Sequence, residues 1–495
     1  MLFRRAIATL CTLGIVLSPG AVPAQEQLPD IGSPSDTVLS REKEQQIGRA
    51  IYRSLRDTGH VITDPETQEY IQDIGQKLAA HATDNGQKFR FFVVNDPAIN
   101  AFALPGGFIG VHSGLLLATA NESELAGVLA HEIAHVTQRH ISRAIYANQR
   151  ASILTMAAML GAILLGAATG SSDAIQGAVV AAQSASAQQQ INFTRSNEYE
   201  ADRVGVGLLA AAGFDPMGMP SFFETMARQT GPMASQAPEF LRTHPVTVNR
   251  IAETRERALH LPRPDVADAT GYRLTRARLR ALSSRTPEAA LEHFRADAQN
   301  PDRVGDIGTA YGFALVYLQG GNYVAAEQEF STLMAAHPSV IPFHTGLAQA
   351  QMGLGQREAA FRTYERAMQL FPRNVPLTVR YAEALLQDGR PKEAHRVLLD
   401  LLNIVPPTPE QVRLIARAAS AAHDTGDAHY YMAEYHIMTG DLLLAADELR
   451  VALSIPELDA VQRARFSSRL AEIQETIDRL RAEKQPLPSS QGGSS

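Results

Sequence analysis

The chain has no tryptophan, a single cysteine and only 6% aromatic residues among its 495. The cysteine, Cys11, lies in an N-terminal stretch, MLFRRAIATLCTLGIVLSPGAVPAQEQ, patterned like an export signal. Arg4 and Arg5 precede an apolar run from Ala6 to Leu17. Pro19 and Gly20 break the run, and Val22-Pro23-Ala24 offers small residues for cleavage after Ala24. The run is too short to span a bilayer, and Ala8-Thr9-Leu10 does not form a lipoprotein cleavage box. With residues 1–24 removed no thiol is left, so no disulfide holds the fold, a composition that avoids wrong pairings in an oxidising compartment. Positive charge is also in short supply. The net charge of −7 falls further without Arg4 and Arg5, which argues against nucleic acid as a partner. Together these features predict export to a bacterial periplasm.

What is present is globular: 45% apolar and 20% charged residues, in a chain too long for one hydrophobic core. Abundant alanine favours helix. SREKEQQIGRAIYRSLRD and TQEYIQDIGQKLAAHA carry helical spacing, KFRFFVVND is β-rich, and Phe108 to His112 reads as a strand after a Pro-Gly-Gly turn. Asn121 can cap the next helix, with Glu124 closing a capping box. Between Arg150 and Arg195 the only charge is Asp173. This 151–194 segment is rich in Ala and Gly rather than Leu, so it reads as a buried or surface-lying helical hairpin or flap, with peripheral membrane contact through 151–181 an open alternative to a span. Residues 261–271 read as a linker and 485–495 as a disordered tail.

From 272 to 484 the chain repeats. Gly321, Gly355 and Gly389 are spaced by 34, as are Ala326, Ala360 and Ala394, and Pro338, Pro372 and Pro406. The period resembles tetratricopeptide (TPR) repeats, helix-turn-helix units in which Gly ends the first helix, a small Ala lets the pair approach and Pro stops the second helix. A further unit is expected at Gly440 and Ala445, after an insertion. Helices around Pro287 to Ala296 are expected to cap the start.

The chemistry-bearing stretch is AGVLAHEIAHVTQRH, residues 126–140. On a helix His131 and His135 face the same way, so two imidazole nitrogens can reach one zinc ion, and Glu132 beside them can take a proton from water. A third protein ligand is needed. Ile141 occupies the position where a third histidine would extend the motif, and His140 is displaced from it, which reads as a surface or structural histidine. SNEYEADRVG supplies carboxylates instead. Glu198 and Asp202 share a helix face, so Glu198 is expected as ligand and Asp202 as hydrogen-bond acceptor for a ligand histidine, with Glu200 the alternative ligand. Two histidines and one carboxylate leave a position open for water, as a catalytic site requires.

The set NAFALPGGFIGVHSGLL, ELAGVLAHEIAHV and NEYEAD resembles the gluzincin family that includes the CAAX prenyl proteases and HtpX. Their polytopic membrane anchors are missing; an export signal and a TPR array stand in their place. The resemblance implies a mainly α protein: a zincin-like α+β metallopeptidase domain with a small sheet over residues 25–260, then an α-solenoid. It implies a zinc endopeptidase, with one zinc per subunit, acting on misfolded or misassembled outer-membrane and other envelope proteins, and TPR contacts to outer-membrane assembly machinery. It also implies that Phe108, Ile109, Gly110, Val111 and His112 form an edge strand that holds substrate by β-addition. Finally, it places His244 and Arg250 near the zinc, His244 either filling its open position or donating to the oxyanion, Arg250 doing the latter. The rival reading makes the TPR array a chaperone or scaffold and the zinc site latent or structural. The intact Glu132 argues against that rival.

Overall fold

The computed structural model describes residues 39–147 apart from 83 and 85, then 195–229, 238–264, 269–301, 305–403 and 407–484. The export signal, the 151–194 segment and the C-terminal tail lie outside the described residues. No described helix is long and apolar enough to cross a membrane.

Helix α1 (Arg41–Asp57) starts at Ser40, whose hydroxyl accepts from the Lys43 amide, and α2 (Pro65–Ala79) starts at Asp64, which caps Thr67 ahead of a proline suited to the first helical turn. The sheet comprises β1 (Arg90–Val94), β2 (Ala101–Leu104) and β3 (Phe108–His112) in the order β1-β3-β2. β1 runs parallel to β3 and β2 antiparallel to it. The turn from β2 to β3 passes through Gly106 and Gly107, both in the left-handed region at φ +77° and +82°. A Cβ on Gly106 would lie 2.6 Å from the Gln45 backbone, so only glycine lets the turn rest on α1.

This order corrects the expected edge strand. β3 is central, hydrogen-bonded on both sides and buried along its whole length, so Phe108 to His112 cannot accept an added strand. Alternation alone cannot tell a central strand from an edge. The outer side of β1 is covered by a bridge from Val61 to Val94. No described strand pairs with the outer side of β2.

Helices α3 (Ser113–Ala118), α4 (Glu122–Thr137), α5 (His140–Ala147), α6 (Arg195–Ala211), α7 (Gly218–Gln229), α8 (Glu239–Thr243) and α9 (Val248–Leu259) complete the N-terminal unit. α4 is buried on every face from Ser123 to His135, which is why its apolar pattern is nearly continuous. Gly205 of α6 brings that helix against α4, since a Cβ there would sit 3.1 Å from the His131 amide nitrogen. The approach sets Glu198 and Asp202 opposite His131.

The C-terminal half stacks helices in antiparallel pairs: α10 (Thr270–Ser283) with α11 (Pro287–Gln299), α12 (Ile307–Gln319) with α13 (Tyr323–Ala336), α14 (Ile341–Gly353) with α15 (Arg357–Leu370), α16 (Val375–Gln387) with α17 (Pro391–Leu402), α18 (Pro409–Ala421) with α19 (Thr425–Thr439), and α20 (Leu442–Leu453) with α21 (Ala460–Lys484). Gly321, Gly355 and Gly389 share φ +74°, and Ala326, Ala360, Ala394 and Ala445 are fully buried between paired helices. Gly440 stands 51 residues after Gly389, so it falls half a period out of the 34-residue register, as the extra residues before it imply. His423 stands one period after Gly389 and takes the left-handed conformation itself at φ 63°, so the unit α18–α19 is in register but lacks its marker glycine.

Helix α10 belongs to both halves. Tyr272 and Leu279 pack in the peptidase-side core, while Leu274, Ala277 and Ala281 pack in the first array core. The expected linker is therefore shorter than 261–271, because α10 has begun by Thr270. Buried ion pairs clamp the halves. Arg278 Nη2 lies 2.6 Å and Arg380 Nη2 2.8 Å from Asp64 Oδ1, and both arginines also reach Glu66. Burial works against the Asp64 charge, but the two arginines outweigh it and hold the carboxyl well below its usual range. The array's inner helices α10 and α16 thus pack on α2 rather than standing open, leaving a cavity of about 1320 Å³ lined in part by Gln72, Lys88, Arg380, Glu410, Arg413 and Arg417.

Candidate metal centre

Helix α4 is anchored before it delivers its histidines. The Asn121 side chain accepts from the Glu124 amide at 3.0 Å. Glu124 reaches back not to Asn121, as a capping box would, but one residue further, to the Ala120 amide at 2.7 Å, and its other oxygen accepts from Ser221 Oγ at 2.6 Å. The helix start is tied to α7 as well as capped.

One turn apart, His131 and His135 bring their Nε2 atoms within 3.0 Å of each other. Glu198, from α6, lies 3.5 Å from each of these nitrogens. His244, the residue that caps the C-terminus of α8, brings its Nδ1 to 3.4 Å from His131 Nε2 and 3.2 Å from both Glu198 oxygens. The four donors converge, and all four side chains are buried. A tetrahedral ion with bonds of about 2.0–2.1 Å has edges of about 3.3 Å between its ligands, so the 3.0–3.5 Å separations fit such an ion. The donor chemistry fits as well, being three imidazoles and one carboxylate.

Glu132 lies alongside, with no exposed surface. Neither of its carboxylate oxygens has a hydrogen-bond partner. His244 Nε2 is 3.5 Å away, and the Ala103 amide of β2 faces the carboxyl. Burial raises its pKa, while the positive character of His244 and His131 pulls it back. A buried carboxylate so short of close donors costs free energy unless a water or ligand satisfies it.

Behind the donors, Asp202 Oδ1 lies 3.0 Å from His131 Nδ1. Arg250, from α9, donates Nε and Nη2 to the two Asp202 oxygens at 2.6 and 2.8 Å, and Nη1 to Pro245 O at 2.9 Å. The same Nη1 lies 2.8 Å from Glu198 Oε2. This differs from the oxyanion role expected for Arg250. Its fork is 2% exposed and turned onto the carboxylates behind the site. Burial disfavours the charge on His131, but its hydrogen bonds to the Asp202 and Glu198 carboxylates prevail and raise its pKa to about 9. For His135 burial prevails, with the His131 charge adding to it, and the imidazole is held neutral. Burial would raise Glu198, but His244 and His131 hold it well below its usual value.

Two alternatives left open by the sequence are decided here. Glu200 is not a ligand: its Oε2 lies 3.1 Å from His140 Nε2 and 2.9 Å from Arg143 Nη1, outside the donor cluster. His140 is not a surface residue. It is fully buried, its Nδ1 2.8 Å from His135 Nδ1. The chain reverses at Arg139, which takes φ 54°, and the reversal swings His140 back under α4. Nothing in the sequence marked this, because a left-handed residue is usually glycine or asparagine.

A helix presenting two histidines and a glutamate to a carboxylate on a neighbouring helix defines a metal-dependent peptidase of the HExxH type. Residues 65–258 match Peptidase family M48, and residues 351–418 match the tetratricopeptide repeat. The chain is 35% identical over 470 residues to the putative β-barrel assembly-enhancing protease of Vibrio cholerae, covering 95% of this chain and 96% of that one. It is 32% identical over 485 residues to the β-barrel assembly-enhancing protease of Escherichia coli, covering 97% and 98%. A shorter likeness, 31% over 230 residues, links it to the mitochondrial metalloendopeptidase OMA1 of Saccharomyces cerevisiae, covering 43% of this chain and 63% of that one. The chain belongs to Peptidase family M48 and is a metallopeptidase followed by a TPR array.

Proposed function

We propose that the metal is zinc, held by His131, His135 and Glu198, and that the protein is a periplasmic endopeptidase that removes misfolded or misassembled outer-membrane and envelope proteins. The observation that carries the peptidase reading is Glu132, a fully buried carboxylate short of close hydrogen-bond donors beside the convergent donor cluster. Zinc, when bound, supplies Lewis acidity towards a peptide carbonyl and water. Glu132 takes the proton of the attacking water and returns it to the leaving amine. Asp202 fixes the proton on His131 Nδ1, and Arg250 holds Asp202 and Glu198 in place. The outer side of β2, whose Ala103 amide faces Glu132, is the edge to which an extended substrate adds. The names and near full-length similarity of the curated relatives support the envelope role. With α10 and α16 packed on the peptidase side, partners such as the outer-membrane assembly machinery are received on the rest of the array or in the cavity between the halves.

His244 supports a second feature, a resting state. Its Nδ1 stands 3.4 Å from His131 Nε2 and 3.2 Å from both Glu198 oxygens, so it would serve as a fourth ligand to a bound ion. His244 then closes the position needed for water until the loop after α8 withdraws.

The test is zinc content and casein cleavage, side by side, for the chain lacking residues 1–24 and for its Glu132→Gln and His244→Ala variants. The expected result is one zinc per chain in the parent, zinc kept but cleavage reduced by at least about 100-fold in Glu132→Gln, and faster cleavage in His244→Ala. Undiminished cleavage by Glu132→Gln would refute the role of Glu132. Absence of any gain in His244→Ala would refute the resting state.

A further inference from the structure

We propose that His140 and Glu200 are positioning residues for the His135 ligand, forming a second outer chain that the HExxH pattern does not contain. The proposal rests on the reading of His135 as a metal ligand. His135 turns its Nε2 towards the donor cluster, 3.0 Å from His131 Nε2 and 3.5 Å from Glu198 Oε1. An imidazole that binds metal through Nε2 carries its proton on Nδ1. That proton faces His140 Nδ1 at 2.8 Å. His140 must therefore accept at Nδ1, which puts its own proton on Nε2, and Nε2 faces Glu200 Oε2 at 3.1 Å. Arg143 Nη1 donates to the same oxygen at 2.9 Å. Each link determines the direction of the next, so the tautomers of both histidines follow from the geometry.

The two ligand histidines are thus supported in parallel. His131 is backed by Asp202 and then Arg250; His135 is backed by His140, then Glu200, then Arg143. A carboxylate at the end of such a chain raises the basicity of the ligating nitrogen and fixes the ring. The extra imidazole is needed because α5 enters through the Arg139 reversal, which leaves Glu200 one ring away from His135. That reversal is itself held: Arg139 Nη2 donates to Leu39 O at 2.9 Å and to Glu44 Oε1 at 3.1 Å. The outer chain also runs outwards, ending in a half-exposed arginine, whereas Asp202 and Arg250 are sealed.

The test uses the full chain lacking residues 1–24, with His140→Leu, His140→Asn and Glu200→Gln. Asparagine places a carbonyl oxygen near the position of the His140 Nδ1 atom and still accepts from His135; leucine fills the space and cannot. Zinc dissociation constants are measured by competition with a chelator, with the visible bands of the cobalt(II)-loaded proteins as a readout independent of turnover. The expected result is a loss of about 10- to 100-fold in zinc affinity for His140→Leu, a smaller loss for Glu200→Gln, and near-parental affinity and cobalt bands for His140→Asn. Parental affinity in His140→Leu overturns the proposal, and equal losses in the leucine and asparagine variants do so too, because they would mean a packing role. If the parent itself binds no zinc, the reading of the metal centre fails first.

Discussion

Replacing Arg250 by Met tests how the site is held from behind. The guanidinium is 2% exposed and serves Glu198 and Asp202, which are 2% and 3% exposed. Methionine keeps much of the apolar stem but removes two bonds to Asp202, the contact to Glu198 and the guanidinium lying over the Phe223 ring. Two buried carboxylates then lose their common cation. Breaking a buried pair in this way costs about 3–5 kcal/mol. For a unit of this size about 1 kcal/mol moves the melting temperature by about 2–4 °C, so a fall of about 6–20 °C is expected in the metal-free protein. Zinc at Glu198 replaces part of the missing charge, so the deficit narrows when zinc is added. Combining Arg250→Met with Asp202→Leu costs less than the sum of the two, because the second change removes a charge the first one stranded. Calorimetry of the four proteins, with and without zinc, measures all of this. A fall below about 2 °C in metal-free Arg250→Met, or strict additivity, would refute the argument that Arg250 neutralises buried carboxylates.

Three further outcomes concern the frame. Glu69 accepts from Asn374 Nδ2 at 3.0 Å across the junction of the two halves, and burial, with Asp73 and Glu66 nearby, raises its pKa from 4.5 to about 7. The folded state then binds more protons than the unfolded one in that window, so stability declines as pH rises through it; Glu69→Gln should melt higher than the parent at pH 8, with the gap closing towards pH 4.5, and a pH-independent gap counts against this. Gly355→Ala meets no neighbour within 4 Å but must hold φ +74°, so melting should show a loss of about 1 kcal/mol from the backbone alone, and an unchanged midpoint would contradict it. Gly48→Ala puts a Cβ 1.9 Å from Pro105 O and should cost about 1–3 kcal/mol, whereas Gly207→Ala, in open space on α6, should stabilise by about 0.5–1 kcal/mol; melting curves that rank the pair the other way would contradict the packing of α1 on the β2–β3 turn.

Local spacing determined much of this protein. His131 and His135 meet because a helix turns every 3.6 residues, and Glu198 and Asp202 share a face for the same reason. The 34-residue register of Gly and Ala announced the helical pairs, because each pair repeats the same local geometry. What depended on long-range packing was not legible in the sequence. Whether Phe108 to His112 lies at the centre or the edge of a sheet depends on where Ala101 to Leu104 pairs, and alternation is the same in both cases. His423 concealed one repeat, since a histidine can be driven into the left-handed region by the helices on either side of it. Arg250 was expected at the oxyanion but lies behind the ligands, because α9 enters the core from the side of Asp202. His140 returned to His135 only through a reversal at an arginine. His131 and His135 came from one helix, and one helix can be read residue by residue. Asp202, Arg250, His140 and His244 come from four separate elements, and only their packing around α4 brings them close to His131 and His135.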